Sequence, residues 1–316
     1  MRIKQVTVLG GSGFVGSAIV ARLDAAGYQV KVLTRRRECA KHLILLPNVD
    51  VVECDVMDDK ALAVALRGSQ AAVNLIGILH ESRKMSFNAV HAELPRRLAL
   101  ICHEQGIPRL LHMSALQASM DGPSAYLRSK AAGEAAVMDY ADQLHVTAFR
   151  PSVIFGRGDS FITLFANLVK LMPVVALAKP EAKFQPIWVE DVAQAFVTSM
   201  ENIDTYGQRY DLAGPRVYTL RQLVEFVIFV LDKKRKIVGL NEQLSYLQAL
   251  MLEKMPLITL MTRDNLASMQ VDNVCQGEFP KVFDIQPTAM EVVVPDYLVN
   301  RTPRNSYNRF RGHAGR

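Results

Sequence analysis

Gln5-Val6-Thr7-Val8-Leu9 runs directly into Gly10-Gly11-Ser12-Gly13-Phe14-Val15-Gly16, and this stretch decides the fold. The first five residues read as a short buried strand. Glycines follow at 10, 11, 13 and 16, and the residues from Ser17 to Leu23 read as the start of a helix. A strand, a glycine turn and a helix in that order form a dinucleotide-phosphate site. One glycine permits the tight turn, a second lets backbone approach a pyrophosphate, and a third lets helix and strand pack closely. The helix N-terminus then points unpaired N–H groups at the phosphates. Two spacings are superposed here, Gly11-x-Gly13-x-x-Gly16 and Gly10-x-x-Gly13-x-x-Gly16. Gly10, Ser12, Gly13, Phe14, Val15 and Gly16 are the candidate phosphate contacts.

Outward from this motif, apolar strand-like runs near 7–10, 29–34, 49–54, 72–76, 109–114 and 147–154 alternate with helical patterns near 17–26, 59–67, 87–104 and 126–143. The alternation predicts an α/β fold, a Rossmann-type doubly wound parallel sheet. Ligands then sit at the carboxyl ends of the strands. Pro95 falls inside the third helical pattern and predicts a kink or a late start. After Gly158 the alternation decays. Thr219-Leu220-Arg221-Gln222 reads as a capping-box start for a helix reaching about Asp232, and residues 243–269 as a Leu- and Met-rich helical region broken near Pro256. The expected organisation is a dinucleotide-binding domain over 1–157 with a return segment near 184–214. A smaller, mainly helical cap follows over 158–183 and 215–300, and then a basic tail over 301–316.

With 316 residues, half of them hydrophobic, the chain can hold both units. Cys39, Cys54, Cys102 and Cys275 are scattered without metal-like spacing, so no metal site is expected and the thiols read as reduced and mostly buried. No signal peptide is read ahead of the first strand and no apolar run reaches membrane-spanning length, which predicts a cytoplasmic protein, at most peripheral to the inner membrane. The net charge is +6, but five arginines (301, 304, 309, 311 and 316) lie in the last sixteen residues with no acid. The body is near neutral, which argues against nucleic acid as a partner. The tail reads as a solvated arm able to touch an anionic membrane or a protein complex, and Lys233-Lys234-Arg235-Lys236 as cations complementing a helix C-terminus.

The strand Gln29-Val30-Lys31-Val32-Leu33 ends in Thr34-Arg35-Arg36-Arg37, without the acid that accepts from the ribose 2′-OH of NAD. Guanidinium at Arg35 and Arg36 suits a 2′-phosphate, which favours NADP(H) over NAD(H); three exposed arginines on a loop would look the same. Tyr126-Leu127-Arg128-Ser129-Lys130 places Tyr126 and Lys130 on one helix face. A neighbouring ammonium would lower the tyrosine pKa and make Tyr126 a candidate acid–base group. Glu190 and Asp191 read equally as helix-capping or as binding residues.

The glycine spacing, the Tyr-x-x-x-Lys motif and Arg150-Pro151-Ser152-Val153-Ile154-Phe155-Gly156 together resemble the extended short-chain dehydrogenase/reductase superfamily. The resemblance implies adenine contacts at Asp55 and Val56. It implies a small apolar turn beside the cofactor at Leu75, Ile76 and Gly77, and further cofactor contacts at Met113, Ser114, Lys130, Pro151 and Val153. Structural turns would explain 55–56 and 74–77 equally well. The superfamily's catalytic Ser/Thr position holds Ala115, with Ser114 one residue early. With Asn74-Leu75-Ile76-Gly77-Ile78-Leu79, His112-Met113-Ser114-Ala115 and Gln185-Pro186, residues 1–270 resemble an atypical subgroup. It includes the nucleotide-binding accessory subunit of respiratory complex I and its epimerase/dehydratase-like bacterial relatives. Three functions follow. One is an NADP-dependent oxidoreductase or epimerase acting through Tyr126 and Lys130 on an unidentified small molecule. The second is a non-catalytic NADPH-holding structural, redox-sensing or assembly protein. The third is a membrane-surface protein handling a lipid or quinone.

Overall fold

The computed structural model describes residues 3–82, 85–253 and 261–299. The arginine tail and the break near Pro256 lie outside the described residues. Six strands lead the chain: β1 (Gln5–Leu9), β2 (Gln29–Thr34), β3 (Val49–Glu53), β4 (Ala71–Asn74), β5 (Arg109–Met113) and β6 (His145–Pro151). Helices α1 (Phe14–Ala25), α2 (Asp59–Leu66), α3 (Leu94–Glu104) and α4 (Ala125–Met138) lie between them. With the later strand Gln208–Leu212 the six strands form one parallel sheet, in the order Gln208–Leu212, β6, β5, β4, β1, β2, β3. The winding reverses between β1 and β4. In open parallel sheets such a switch point is where a ligand crevice forms, here at the carboxyl ends of both strands beside the glycine turn.

Alternate residues of each strand feed two cores. Val6 and Val8 pack with Ile19 and Val20 of α1 and with Val192 and Phe196, on one side of the sheet. Leu9 packs with Leu62, Leu66 and Leu98 on the other. A third core joins α5 (Phe161–Leu171), α7 (Leu220–Val230) and the last described helix, α10 (Met290–Leu298), with Phe184. Between these run α6 (Val189–Ser199), α8 (Glu242–Glu253) and α9 (Arg263–Ser268).

Helix α1 begins at Phe14, three residues before the position read from sequence. Gly13 is its extended N-cap, and the Ser17 hydroxyl donates back to Gly13 O (2.8 Å) from within the first turn. Pro95 does mark a late start. It sits in the first turn of α3, and the preceding Asn88–Glu93 is wound as a π-helix that joins α3 without a break, so the missing Pro95 N–H falls where the hydrogen-bond pattern changes from π to α. The capping box of α7 is complete: Thr219 N donates to Gln222 Oε1 (2.8 Å) and Gln222 N to Thr219 Oγ1 (3.2 Å). In the Leu- and Met-rich region, α8 buries only Ser245 and Ala249 and leaves Leu244, Leu247 and Met251 exposed, because its neighbours cover only one narrow side. One expectation needs correction, that the thiols are mostly buried. Of the cysteines, Cys54 and Cys102 are buried, Cys275 is half-buried and Cys39 is exposed, and all four are free thiols. Among the described residues no helix is long and apolar enough to cross a membrane.

Candidate functional site

Steric demand explains Gly10 and Gly16 of the opening turn. Gly10 takes a positive φ of 80°, and a Cβ there would lie 3.2 Å from Ile76. A Cβ on Gly16 would fall 2.2 Å from Gly10 O, so α1 can approach the end of β1 only with hydrogen at that position. The turn is closed by Gly13 N donating to Gly10 O (3.1 Å). No side chain caps the first turn of α1, and Gly13 itself is exposed. The N–H groups behind Gly13 therefore face the crevice, as an anion site requires. Ser12, Phe14 and Val15 are half-buried at its rim.

At the end of β2 the three arginines are exposed. Thr34 Oγ1 donates to Arg36 O (3.0 Å) and accepts from Arg36 N (3.4 Å), fixing that backbone turn, while Arg35 Nη1 rests against Met85 Sδ (3.6 Å). Arg37 N donates to Glu53 Oε1 (2.9 Å). Asp55 is exposed and accepts from Met57 N (3.0 Å), whereas the Val56 side chain is buried beside Leu62. Leu75 and Ile76 pack partly into opposite cores, leaving Gly77 exposed at the crevice.

Tyr126 and Lys130 lie in the first turns of α4. Lys130 is buried, and its Nζ donates to Met113 O (3.1 Å) at the end of β5. Gly77 makes room for it, since a Cβ there would come within 3.2 Å of Lys130 Nζ. Burial pulls the Lys130 pKa down to about 8. The expected depression of the Tyr126 pKa is not found. Burial pushes its phenol up to about 12, because the ring lies edge-on to His91 (5.4 Å) and Phe87 (5.9 Å), and the ammonium is turned toward Met113 O.

His91, which the sequence reading did not single out, binds these parts together. Ile78 N donates to its Nε2 (2.9 Å), so Nδ1 carries the proton and donates to Ser129 Oγ (2.9 Å), which in turn donates to Tyr126 O (2.8 Å). Burial and Lys130 hold its pKa down at about 2, keeping the ring neutral. The π-helical turn brings His91 O so close to α4 that a Cβ on Gly133 would lie 1.7 Å from it. A second buried histidine, His112, has its pKa lowered to about 3 by burial and by Lys130.

Ser114 does not replace the missing hydroxyl at Ala115. It is buried on the Glu134 side, where it helps lower that carboxyl without completing a well-aligned hydrogen bond. Glu134 is held ionised against burial by Arg150 Nε (2.8 Å) and Arg209 Nε (2.8 Å). Pro151 is buried in β6 and Met113 lies in the core. Val153 N donates to Asn273 Oδ1 (3.2 Å).

A later segment covers this end of α4. Asp264 accepts from Ala125 N (2.7 Å) and Tyr126 N (3.1 Å), Ser268 Oγ donates to Ser124 Oγ (2.8 Å), and Gln117 Nε2 donates to Val274 O (2.9 Å). Only the Thr262-x-x-Asn265 capping box, complete in α9, marked this segment in the sequence. Glu190 and Asp191 cap nothing with their side chains. Glu190 pairs with Arg22 (2.7 Å) and Asp191 accepts from Thr288 N (2.7 Å), so both tie elements together. Among the described residues no cluster could hold a metal ion.

A parallel sheet that reverses beside a glycine turn, with a cradle that a Cβ would fill, defines a dinucleotide-binding protein of the Rossmann class. The chain belongs to the NAD dependent epimerase/dehydratase family, which it matches over residues 6–213. It is 31% identical over 309 residues to the mitochondrial NADH dehydrogenase [ubiquinone] 1 alpha subcomplex subunit 9 of Mus musculus, covering 90% of this chain and 77% of that one. The fold resembles Pal from Bacillus thuringiensis (TM-score 0.74, 16% identity, 94% of this chain and 100% of that one). It also resembles the dTDP-glucose 4,6-dehydratase DesIV of Streptomyces venezuelae, solved with NAD and TYD bound (TM-score 0.65, 22% identity, 75% and 85%).

Proposed function

We propose that this chain holds NADP(H) as a resident group with a structural or redox-reporting role in a protein assembly, and does not turn it over rapidly. The pyrophosphate would lie on the backbone from Gly10 to Gly16, the 2′-phosphate against Arg36, and the nicotinamide ribose near Lys130. When bound, the nicotinamide supplies hydride chemistry. Little in this chain moves a proton to match it. The observation that carries the reading is Ala115 at the position of the superfamily's catalytic hydroxyl, beside a Tyr126 ring set against His91 and Phe87 with the Lys130 ammonium turned to Met113 O. An oxyanion donor, usually worth about 3 kcal/mol, has no side chain here, and the candidate acid–base group is held neutral and apolar. The length of the match to the mouse respiratory-chain subunit supports an assembly partner.

The test is to denature the purified protein and identify what it releases. Stoichiometric NADP(H) that survives dialysis is the expected result. An empty protein, or one releasing only NAD(H), overturns it. A second reading, an oxidoreductase or epimerase, is favoured by the intact Tyr126/Lys130 spacing. Rapid turnover of a carbonyl substrate that is abolished by Tyr126→Phe would establish it instead.

A further inference from the structure

The third core ends in a surface that the nucleotide site does not use. Leu171 at the end of α5 and Phe229 near the end of α7 are each 80% exposed. Single exposed apolar residues are ordinary. These are not single: Met172, Val174 and Val238 are also exposed, and the backbone joins them. The short strand Val174–Leu177 pairs with Lys236–Gly239, with Lys236 opposite Val174 and Val238 opposite Ala176. Arg235 Nε donates to Val169 O (2.7 Å), bringing the end of α7 against the end of α5. The same turns carry Lys170, Lys233, Lys234 and Lys236, all exposed, against the acids Glu225 and Asp232.

We infer that this end of the molecule docks on an anionic lipid bilayer. The apolar side chains protrude as tips, which suits entry between headgroups, and the lysines beside them match a negatively charged surface. Charge also selects against other occupants. A second copy would set lysines against lysines, and the arginine tail of the same chain carries no acid to meet them. The cations at 233–236 therefore do more than complement the C-terminus of α7. The inference is independent of the nucleotide reading, since none of these residues lies at the crevice.

The test uses full-length protein and flotation with vesicles of phosphatidylcholine, alone or mixed with phosphatidylglycerol. The wild type is expected to float with the mixed vesicles and not with the neutral ones. A surface lysine contributes about fivefold to partitioning, so combining Lys233→Gln, Lys234→Gln and Lys236→Gln should weaken binding about a hundredfold. Leu171→Ser with Phe229→Ser should weaken it at least about tenfold. Changing all five tail arginines to Gln in the full chain should leave most of the binding. The five patch positions (171, 229, 233, 234 and 236) are exposed, so unchanged melting and nucleotide content will verify the fold. As a second measurement, tryptophan introduced by Phe229→Trp should be quenched by brominated phosphatidylcholine in mixed vesicles. Failure of the wild type to float, equal binding to neutral vesicles, undiminished binding of both patch variants, or loss of binding on changing the tail alone would each overturn the inference. An acidic protein captured through these lysines without vesicle binding would overturn it as well.

Discussion

Strand β5 has a buried cation at each end, and the protein treats the two differently. At its start, Arg109 donates to His145 O, Ser199 O (2.7 Å), Thr147 Oγ1 (2.8 Å) and Thr205 Oγ1 (3.0 Å), and lies 4.7 Å from the centre of the Tyr206 ring. Only its Nε lacks a partner. At its finish, Lys130 makes one hydrogen bond among the described residues, to Met113 O, against the three its ammonium can donate. A cation saturated by the protein locks structure. One left undersatisfied at the mouth of a crevice keeps its capacity for a ligand, and the folded state carries the cost. Burial lowers both pKa values, Arg109 to about 10 and Lys130 to about 8, yet only Lys130 comes near a physiological range.

The contrast predicts opposite responses to the same substitution. Arg109→Met leaves two carbonyls and two hydroxyls short of a buried donor, and should lower unfolding free energy by roughly 3–5 kcal/mol. Denaturant titration would read the loss, and nucleotide affinity of the folded fraction should not change. Lys130→Met should leave stability at neutral pH unchanged or higher. If Lys130→Met destabilises as much as Arg109→Met, the distinction between the two cations fails.

The pH dependence sharpens the same point. The Lys130 pKa is lower in the folded chain than in the unfolded one, so below about 8 both states hold the proton and the folded state bears the full penalty. Between about 8 and 10.5 the unfolded state binds more protons, and stability rises with pH, on the order of 3 kcal/mol over the whole window. Tyr126, raised to about 12, acts the other way only above its unfolded value near 10. Buried Cys102, raised to about 12, opposes this gain above about pH 9, so the Lys130 contribution is read as the difference between wild-type and Lys130→Met melts across pH 8 to 10, with the variant gaining less. On the acid side, His91 and His112 stay neutral when folded, so stability should fall as pH drops below about 6.5.

How much of this was legible in the sequence depends on what enforces each feature. Gly10 and Gly16 could be read because local sterics require them in a turn between two recognisable elements. The Tyr126/Lys130 spacing could be read because a helix repeats. Gly133 could not, since its need arises from the π-helical turn of His91, thirty-eight positions from Ser129 in sequence but bonded to it. Nor could Asp264, whose carboxylate serves a helix 138 residues earlier. The sign of the Tyr126 pKa shift escapes the sequence for the same reason: spacing reports which face a side chain shares, and the aromatic wall that desolvates it comes from elsewhere.

Nucleotide affinity itself should respond to Lys130→Met by about ten- to a hundredfold, the worth of a charge-assisted hydrogen bond to a ribose hydroxyl. Calorimetry with NADPH and NADH should find both weakened alike, since they share that ribose. A third cation, Arg36, gives the smallest effect and the finest discrimination. It is exposed, so its interaction is screened by salt, but Thr34 pins its backbone from both sides, whereas Arg35 is turned toward Met85. Arg36→Ala should lower NADPH affinity by about tenfold at low ionic strength and leave NADH untouched, while Arg35→Ala changes the preference less. A loss equal for both nucleotides would mean that Arg36 meets the shared diphosphate or adenine, and the preference for the 2′-phosphate would then have no residue to rest on.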